Sequence, residues 1–296
     1  MEESIRKAAV LIEALPYLQA FRGKVIVAKY GGSAIDNPAA MRGILEDLVF
    51  LNVVGIRAVL VHGGGPMITR KLSAAGQGSA FIDGMRVTDR NSVKVVNQAL
   101  EDVNRRLVEQ IKALDGRAQS VTAKERVVLA KPHPQSAQLG FVGLVETFQV
   151  EGIEPLLDMA MIPVISPIGS REGQLYNINA DHVANEVAVA LRAEKLVLLT
   201  NVRGILRQPG DNSSLLSTVS VKETKLLMER KVIQEGMIPK VQACVDALRD
   251  GVKKAHIIDA AIPHALLLEI FTKTGIGTEI VRQSPERKSS VSEVNG

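Results

Sequence analysis

The sequence predicts an α/β fold built on a mainly parallel sheet with crossover helices. Three observations lead there. Short apolar runs end in glycine clusters and are followed by helix-like segments, the alternation that parallel sheets produce. Hydrophobic residues make up 46% of the 296 and charged residues 23%, enough for a substantial core. Aromatics are only 3% and Trp is absent, so that core is aliphatic. An aliphatic core suits strands of Val, Ile and Leu buried on both faces.

In order along the chain, residues 4 to 20 set Leu11, Leu15 and Leu18 beside Ile5, Ala8 and Ile12 on one helical face. This amphipathic helix precedes the main alternation. A strand follows over Lys24–Tyr30, ending at Gly31-Gly32. A helix over Pro38–Val53 has proline near its start, where the missing N–H does no harm. The next strand, Arg57–His62, runs into Gly63-Gly64-Gly65-Pro66 and another helix. A long helix spans Arg90–Leu114. Between Gly116 and Val150 the pattern turns to short β-type runs, Arg126–Ala130 and Gly140–Val150, separated by Pro132 and Pro134. They read as a β excursion over the sheet edge that can cover a site.

The alternation resumes with a strand at Ile162–Ser166, a helix at Asn179–Leu191 and a strand at Lys195–Thr200. A turn-rich stretch occupies Val202–Ser217. Helices at Val221–Arg230 and Ile238–Asp250, a strand at Lys254–Ile258, a helix at Pro263–Phe271 and a short strand at Thr278–Val281 complete the series. Residues 284–296 are polar and expected to fray.

Charge and cysteine usage narrow the function classes. The net charge is +4, but the 36 Lys and Arg are scattered and no aromatic platform lies among them. Nucleic-acid binding therefore lacks both its charge stripe and its stacking residues. Cys244 is the only cysteine, which excludes an internal disulfide and a thiolate cluster. Ala243, Val245 and Ala247 around it suggest a small buried residue. The start, Met-Glu-Glu with Glu13 and Pro16 further in, is unlike a signal peptide, and no apolar run reaches membrane-spanning length. The expectation is a reducing, cytoplasmic setting without membrane contact.

Two glycine clusters end two early strands, and in parallel sheets ligands gather beyond those ends. Bare backbone N–H groups and helix N-termini there favour an anion. No Walker A or dinucleotide fingerprint is present. His62-Gly63-Gly64-Gly65 has the form of an esterase oxyanion turn, but the Gly-x-Ser-x-Gly elbow it requires is missing. Lys29 closes an apolar strand: either it points to solvent or it pairs with an anion, since a lone buried ammonium is costly. Lys240 opens an otherwise apolar helix, where the macrodipole disfavours a cation. Asp181 suits the first turn of its helix for the same reason reversed, and Arg86 reads as either a surface arginine or a carboxylate fork.

Five segments occur in order: Lys29-Tyr-Gly-Gly-Ser33, His62-Gly-Gly-Gly-Pro66, Gly84-Met-Arg-Val-Thr-Asp89, Tyr176-Asn-Ile-Asn-Ala-Asp181 and Gly236-Met-Ile-Pro-Lys240. Together, from Ser4 to Val281, the chain resembles the amino acid kinase family, and within it the N-acetylglutamate kinases. The resemblance implies an open three-layer αβα sandwich of two lobes. An oligomerisation helix would occupy 1–20, an acyl-amino-acid lobe 21–176, an ATP lobe 177–283 and a flexible tail 284–296. The implied reaction moves the ATP γ-phosphoryl group, with Mg²⁺, to the γ-carboxylate of N-acetyl-L-glutamate in arginine biosynthesis.

By the same resemblance, Lys29 and Lys240 stabilise the transferring group and Asp181 organises them. Gly64, Gly65, Arg86 and Asn177 bind the acceptor. Gly31, Gly32, Thr200, Asn201 and Gly204 serve the nucleotide, although aspartate is more usual at the position of Asn201. No protein metal ligand is assigned. The N-terminal helix marks the arginine-sensitive type, with Tyr17, His256, Glu269, Gly275 and Gly277 matching arginine-binding positions, and a hexamer built as a trimer of dimers. Some relatives bind the signalling protein PII, which these residues leave open. The alternatives are a sibling kinase for acetylaminoadipate or carbamate, and a non-catalytic arginine sensor. Acceptor chain length is not readable from the sequence.

Overall fold

The computed structural model describes residues 1–31, 35–272 and 274–283. The predicted tail and Gly32 lie outside the described residues. The helices are α1 (Glu2–Phe21), α2 (Pro38–Val53), α3 (Gly65–Ala74), α4 (Ser92–Ala113), α5 (Ser136–Leu139), α6 (Glu154–Asp158), α7 (Ala180–Ala190), α8 (Val221–Glu229), α9 (Ile238–Arg249) and α10 (Ala265–Phe271). The first seven strands are β1 (Val25–Tyr30), β2 (Arg57–His62), β3 (Phe81–Ile82), β4 (Met85–Arg86), β5 (Ala118–Val121), β6 (Val128–Pro132) and β7 (Val142–Phe148). The rest are β8 (Ile162–Ile165), β9 (Ile168–Arg171), β10 (Gln174–Ile178), β11 (Lys195–Thr200), β12 (Thr218–Ser220), β13 (Lys254–Asp259) and β14 (Thr278–Val281).

An eight-stranded sheet in the order β12-β14-β13-β11-β1-β2-β8-β5 forms the middle layer. Its pairs are parallel except β13–β14. All six residues of β1 are buried, and their alternation assigns them to the two faces. Val25 and Val27 pack with Val183, Val187 and Val241 of α7 and α9. Ile26, Ala28 and Tyr30 pack with Ile44 and Leu48 of α2 and Leu107 of α4. Period two therefore sends Lys29 to the α7 side.

The β excursion expected over 116–150 extends further, to residue 178, and includes more than the two strands expected within it. β10, β7, β6 and β9 close into a small barrel, and β5 pairs with β8 at the edge of the main sheet. The sequence reading missed β3, β4, β5, β9, β10 and β12. Ala118-Gln-Ser-Val121 and Thr218-Val-Ser220 are short and half polar, and the hairpin of β9 and β10 turns at Glu172 and Gly173 on two positive φ angles, 51° and 80°.

Candidate active site

The carboxyl ends of β1 and β2 and the N-termini of α3 and α7 meet at one cavity of about 320 Å³. Lys29, Gly64, Gly65, Arg86, Asn177 and Asp181 all line it, so six positions proposed from the sequence converge. Lys240 joins through its side chain. Its Nζ donates to Asp181 Oδ2 at 2.9 Å, while Lys29 Nζ stands 2.8 Å from Asp181 Oδ1.

Local sequence sets each of these groups. Asn179 caps α7, its Oδ1 accepting the Asp181 N–H at 2.8 Å, which places Asp181 in the first turn where the dipole favours a carboxylate. Lys240 is the third residue of α9, and Asp181 offsets the unfavourable dipole there. One carboxylate between two ammonium groups leaves a net positive charge. Burial alone would push the Asp181 carboxyl up, but Lys29 and Lys240 outweigh it and hold it at about 2. Burial also pulls the Lys29 ammonium below its ordinary range; Asp181 resists this and Lys240 adds to it.

The glycines differ in what they do. A β-carbon at Gly64 would meet Leu100 Cδ2 at 2.6 Å, so packing demands glycine there. One at Gly65 would meet nothing within 4 Å, which leaves the first turn of α3 bare toward the cavity. The N–H groups of such a turn lack intrahelical partners and suit an anion.

Arg86 is buried and held on several sides. It donates to Ser79 Oγ and, at 2.8 Å, to Thr69 Oγ1, and its guanidinium carbon lies 4.6 Å from the Phe81 ring centre. The solvent-facing alternative is thereby removed. Asn177 donates to Thr88 Oγ1 at 3.2 Å, leaving its carbonyl oxygen for other donors.

Sequence reasoning passed over the support beneath the glycine turn. His62 Nδ1 lies 2.9 Å from the Gly63 carbonyl, which can only accept, so the proton is on Nδ1. Nε2 is then an acceptor for Ser166 Oγ at 3.0 Å and Asn104 Nδ2 at 3.2 Å. Burial lowers the imidazole to about 4, keeping it neutral. The available signal was Asn104, a polar residue in the apolar stripe of Leu100, Val103 and Leu107.

Thr200, Asn201 and Gly204 are not among the residues lining this cavity. The Thr200 hydroxyl is buried against the carbonyls of Val202 and Ile258, 3.0 and 3.2 Å away. Gly204 has φ of 142°, and a β-carbon there would meet Thr278 Oγ1 at 2.5 Å. Local packing accounts for both.

Tyr17, His256, Glu269 and Gly275 line a second cavity, about 270 Å³, with Lys195, Lys254 and Glu279. Glu269 Oε1 is 2.6 Å from His256 Nδ1, and its Oε2 accepts the N–H groups of Ile276 and Gly277 at 2.7 and 3.2 Å. Burial would raise this carboxyl, but those partners hold it below the usual range. The buried Lys195 was not anticipated; a lysine at a strand start gives no sign that it is covered.

Residues 24–259 match the amino acid kinase family model. The acetylglutamate kinase of Synechococcus elongatus is 48% identical, over 93% of this chain and 92% of that protein. The acetylglutamate kinase of Desulforamulus reducens is 44% identical, over 95% and 99%. Among solved structures, an N-acetylglutamate synthase from Neisseria gonorrhoeae superposes with a TM-score of 0.83 and 29% identity, over 94% of this chain and 64% of the synthase. With a lysine–aspartate–lysine bridge over a glycine turn and relatives matched almost end to end, the chain belongs to the amino acid kinase family, alongside its acetylglutamate kinases.

Proposed function

We propose that this chain transfers the γ-phosphoryl group of ATP to the γ-carboxylate of N-acetyl-L-glutamate, giving ADP and N-acetyl-L-glutamyl 5-phosphate in arginine biosynthesis. The observation that carries this reading is the bridge from Lys29 through Asp181 to Lys240 at the mouth of the glycine turn. A γ-carboxylic acid, with a pKa of about 4.3, is already ionised at neutral pH and needs no base. One carboxylate oxygen attacks phosphorus, the β–γ bridging P–O bond breaks, and its electron pair leaves on ADP. The barrier is the approach of two anions, so positioning and positive charge are the chemistry required. Lys29 and Lys240 supply charge that Asp181 aims; Gly64 and Gly65 supply N–H groups; Arg86 and Asn177 take the α-carboxylate and the amide.

Among the described residues no group of three or more His, Cys, Asp or Glu side chains is placed to hold a metal. Both oxygens of Asp181 face lysines. The residues present therefore do not form a cage for Mg²⁺, whose ligands in this reading are nucleotide phosphates and water. A cavity of about 540 Å³ lined by Arg207, Leu215, Leu216, Glu223, Leu227 and Val232 suits a nucleobase: apolar walls with a few polar groups. A β-carbon at Gly204 would stand 2.9 Å from Leu215 of its lining. On this reading 21–176 form the acceptor lobe and 177–283 the ATP lobe.

ADP release measured with N-acetylglutamate, acetylaminoadipate and carbamate as acceptors tests the assignment. N-acetylglutamate should support turnover at least tenfold above the others, and release independent of any acceptor would sink it.

The second cavity supports feedback inhibition by L-arginine. Glu269 and Glu279 offer carboxylates to a guanidinium, while Lys195 and Lys254 offer cations to an α-carboxylate. α1 leaves Ile5, Leu11, Ile12 and Leu15 exposed, an apolar face suited to pairing with the α1 of other copies in a hexamer. Full activity in millimolar arginine, or a dimer by light scattering, would remove this part.

A further inference from the structure

We infer that His182 is a positioning residue: its neutral imidazole ties β7, on the acceptor side of the site, to the turn of α7 that carries Asp181. The inference rests on reading the cavity as the acceptor and phosphoryl site.

A defect in the barrel creates the opportunity. β6 and β7 pair as Leu129 with Thr147, then Ala130 with Val145, so Glu146 is an extra residue. Such a bulge leaves part of the ladder unpaired. The Val145 N–H is taken instead by His182 Nε2, at 3.2 Å, from across the layer. Three residues earlier on the same strand, Val142 lines the cavity and pairs with Asn177. One hydrogen bond thus links the segment holding Asn177 to the residue that follows Asp181.

The bond works only with Nε2 as acceptor, which puts the imidazole proton on Nδ1, 3.9 Å from Glu186 Oε1 one turn on. Charge reaches the ring from three elements. Glu186 comes from α7 and Asp246 from α9, with Asp250 acting on Glu186; Lys131 and His133 lie on and just after β6. Burial holds the imidazole below its ordinary range; Lys131 and His133 act in the same direction and Asp246 against it. A protonated ring would present N–H to N–H at Val145 and release the strand.

Two variants separate this role from simple packing. His182→Gln retains an acceptor without a titrating group; His182→Leu retains bulk without an acceptor. Amide exchange at Val145 and steady-state kinetics are measured on the whole protein from pH 7.5 down into the acid range below the ordinary imidazole value. At pH 7.5 the leucine variant should exchange Val145 about tenfold faster, the worth of one hydrogen bond, and the glutamine variant at the wild-type rate. KM for the acceptor should rise about tenfold in the leucine variant with KM for ATP unchanged. The wild-type acceptor KM should climb as the pH falls through the lowered imidazole pKa, and that climb should be absent in the glutamine variant. Unchanged Val145 exchange in His182→Leu overturns the inference, as does a glutamine variant that keeps the wild-type acid limb. If no acid accepts phosphate, the kinase reading has failed and the exchange rates alone decide whether His182 holds β7. If turnover is normal and exchange responds while the acceptor KM does not, the positioning role has failed and the kinase reading stands.

Discussion

A β-carbon at Gly31 would stand 2.8 Å from the Lys29 ammonium nitrogen and 3.4 Å from the Gly63 Cα. The glycine that ends β1 therefore keeps open the space into which the preceding lysine folds back. Gly31→Ala should leave the fold intact, because the obstructed atoms are at the end of a side chain. It should lower turnover by about a hundredfold, the scale of an ångström of misplacement at a reacting centre. Melting temperature and ADP release on the same sample check both halves.

Asp181 sustains the charge on Lys29. Burial lowers the Lys29 pKa, Lys240 lowers it further, and Asp181 is the group that opposes them. Turnover needs the ammonium form, so it should fall as pH rises through that lowered pKa. Asp181→Asn should shift this alkaline limb to lower pH as well as reduce turnover. A profile of kcat from pH 6 to 10 decides it; a limb that stays in place would show that Asp181 does not set the lysine's charge.

Arg86 should tolerate no cation in exchange. Ser79, Thr69 and the Phe81 ring hold the planar fork, and an ammonium cannot reproduce it. Arg86→Lys is expected to raise KM for the acid about 10- to 100-fold, matching loss of a charged hydrogen bond, with KM for ATP little changed. Initial rates over a matrix of both substrates measure the split.

His62 predicts an acid-dependent loss of stability. Its pKa is lowered by burial from 6.5 to about 4, so between those values the unfolded chain binds a proton that the native protein refuses. The stabilisation is complete above pH 6.5 and declines as pH falls toward 4, by up to roughly 3 kcal/mol. His62→Asn, which keeps a donor toward the Gly63 carbonyl, should lessen the difference between urea midpoints at pH 7 and pH 5. An unchanged difference would assign the acid sensitivity to other groups.

Much of this was legible along the chain. The bounds of β2 and β11 follow from apolar runs between turn residues, and α2 from its Asn37-Pro38 start. Lys29 and Lys240 stood out because each is a cation in an apolar context. β5 and the hairpin of β9 and β10 were not legible, because short strands of mixed polarity become strands only when a neighbour supplies the ladder. His62 was in view within its motif, but its partners Asn104 and Ser166 come from distant segments.

The sequence by itself determined which groups were available: the alternation that turns every second residue of β1 to one face, the caps that start the helices, and the glycines that strip the backbone bare. Local periodicity and backbone sterics decide these, and both act between near neighbours. Only the tertiary structure decided that two lysines share one carboxylate, that Arg86 is clamped rather than solvated, and that His182 meets a bulge in β7. Those relations depend on strand order, register and one inserted residue, which are set by packing among segments far apart in the chain.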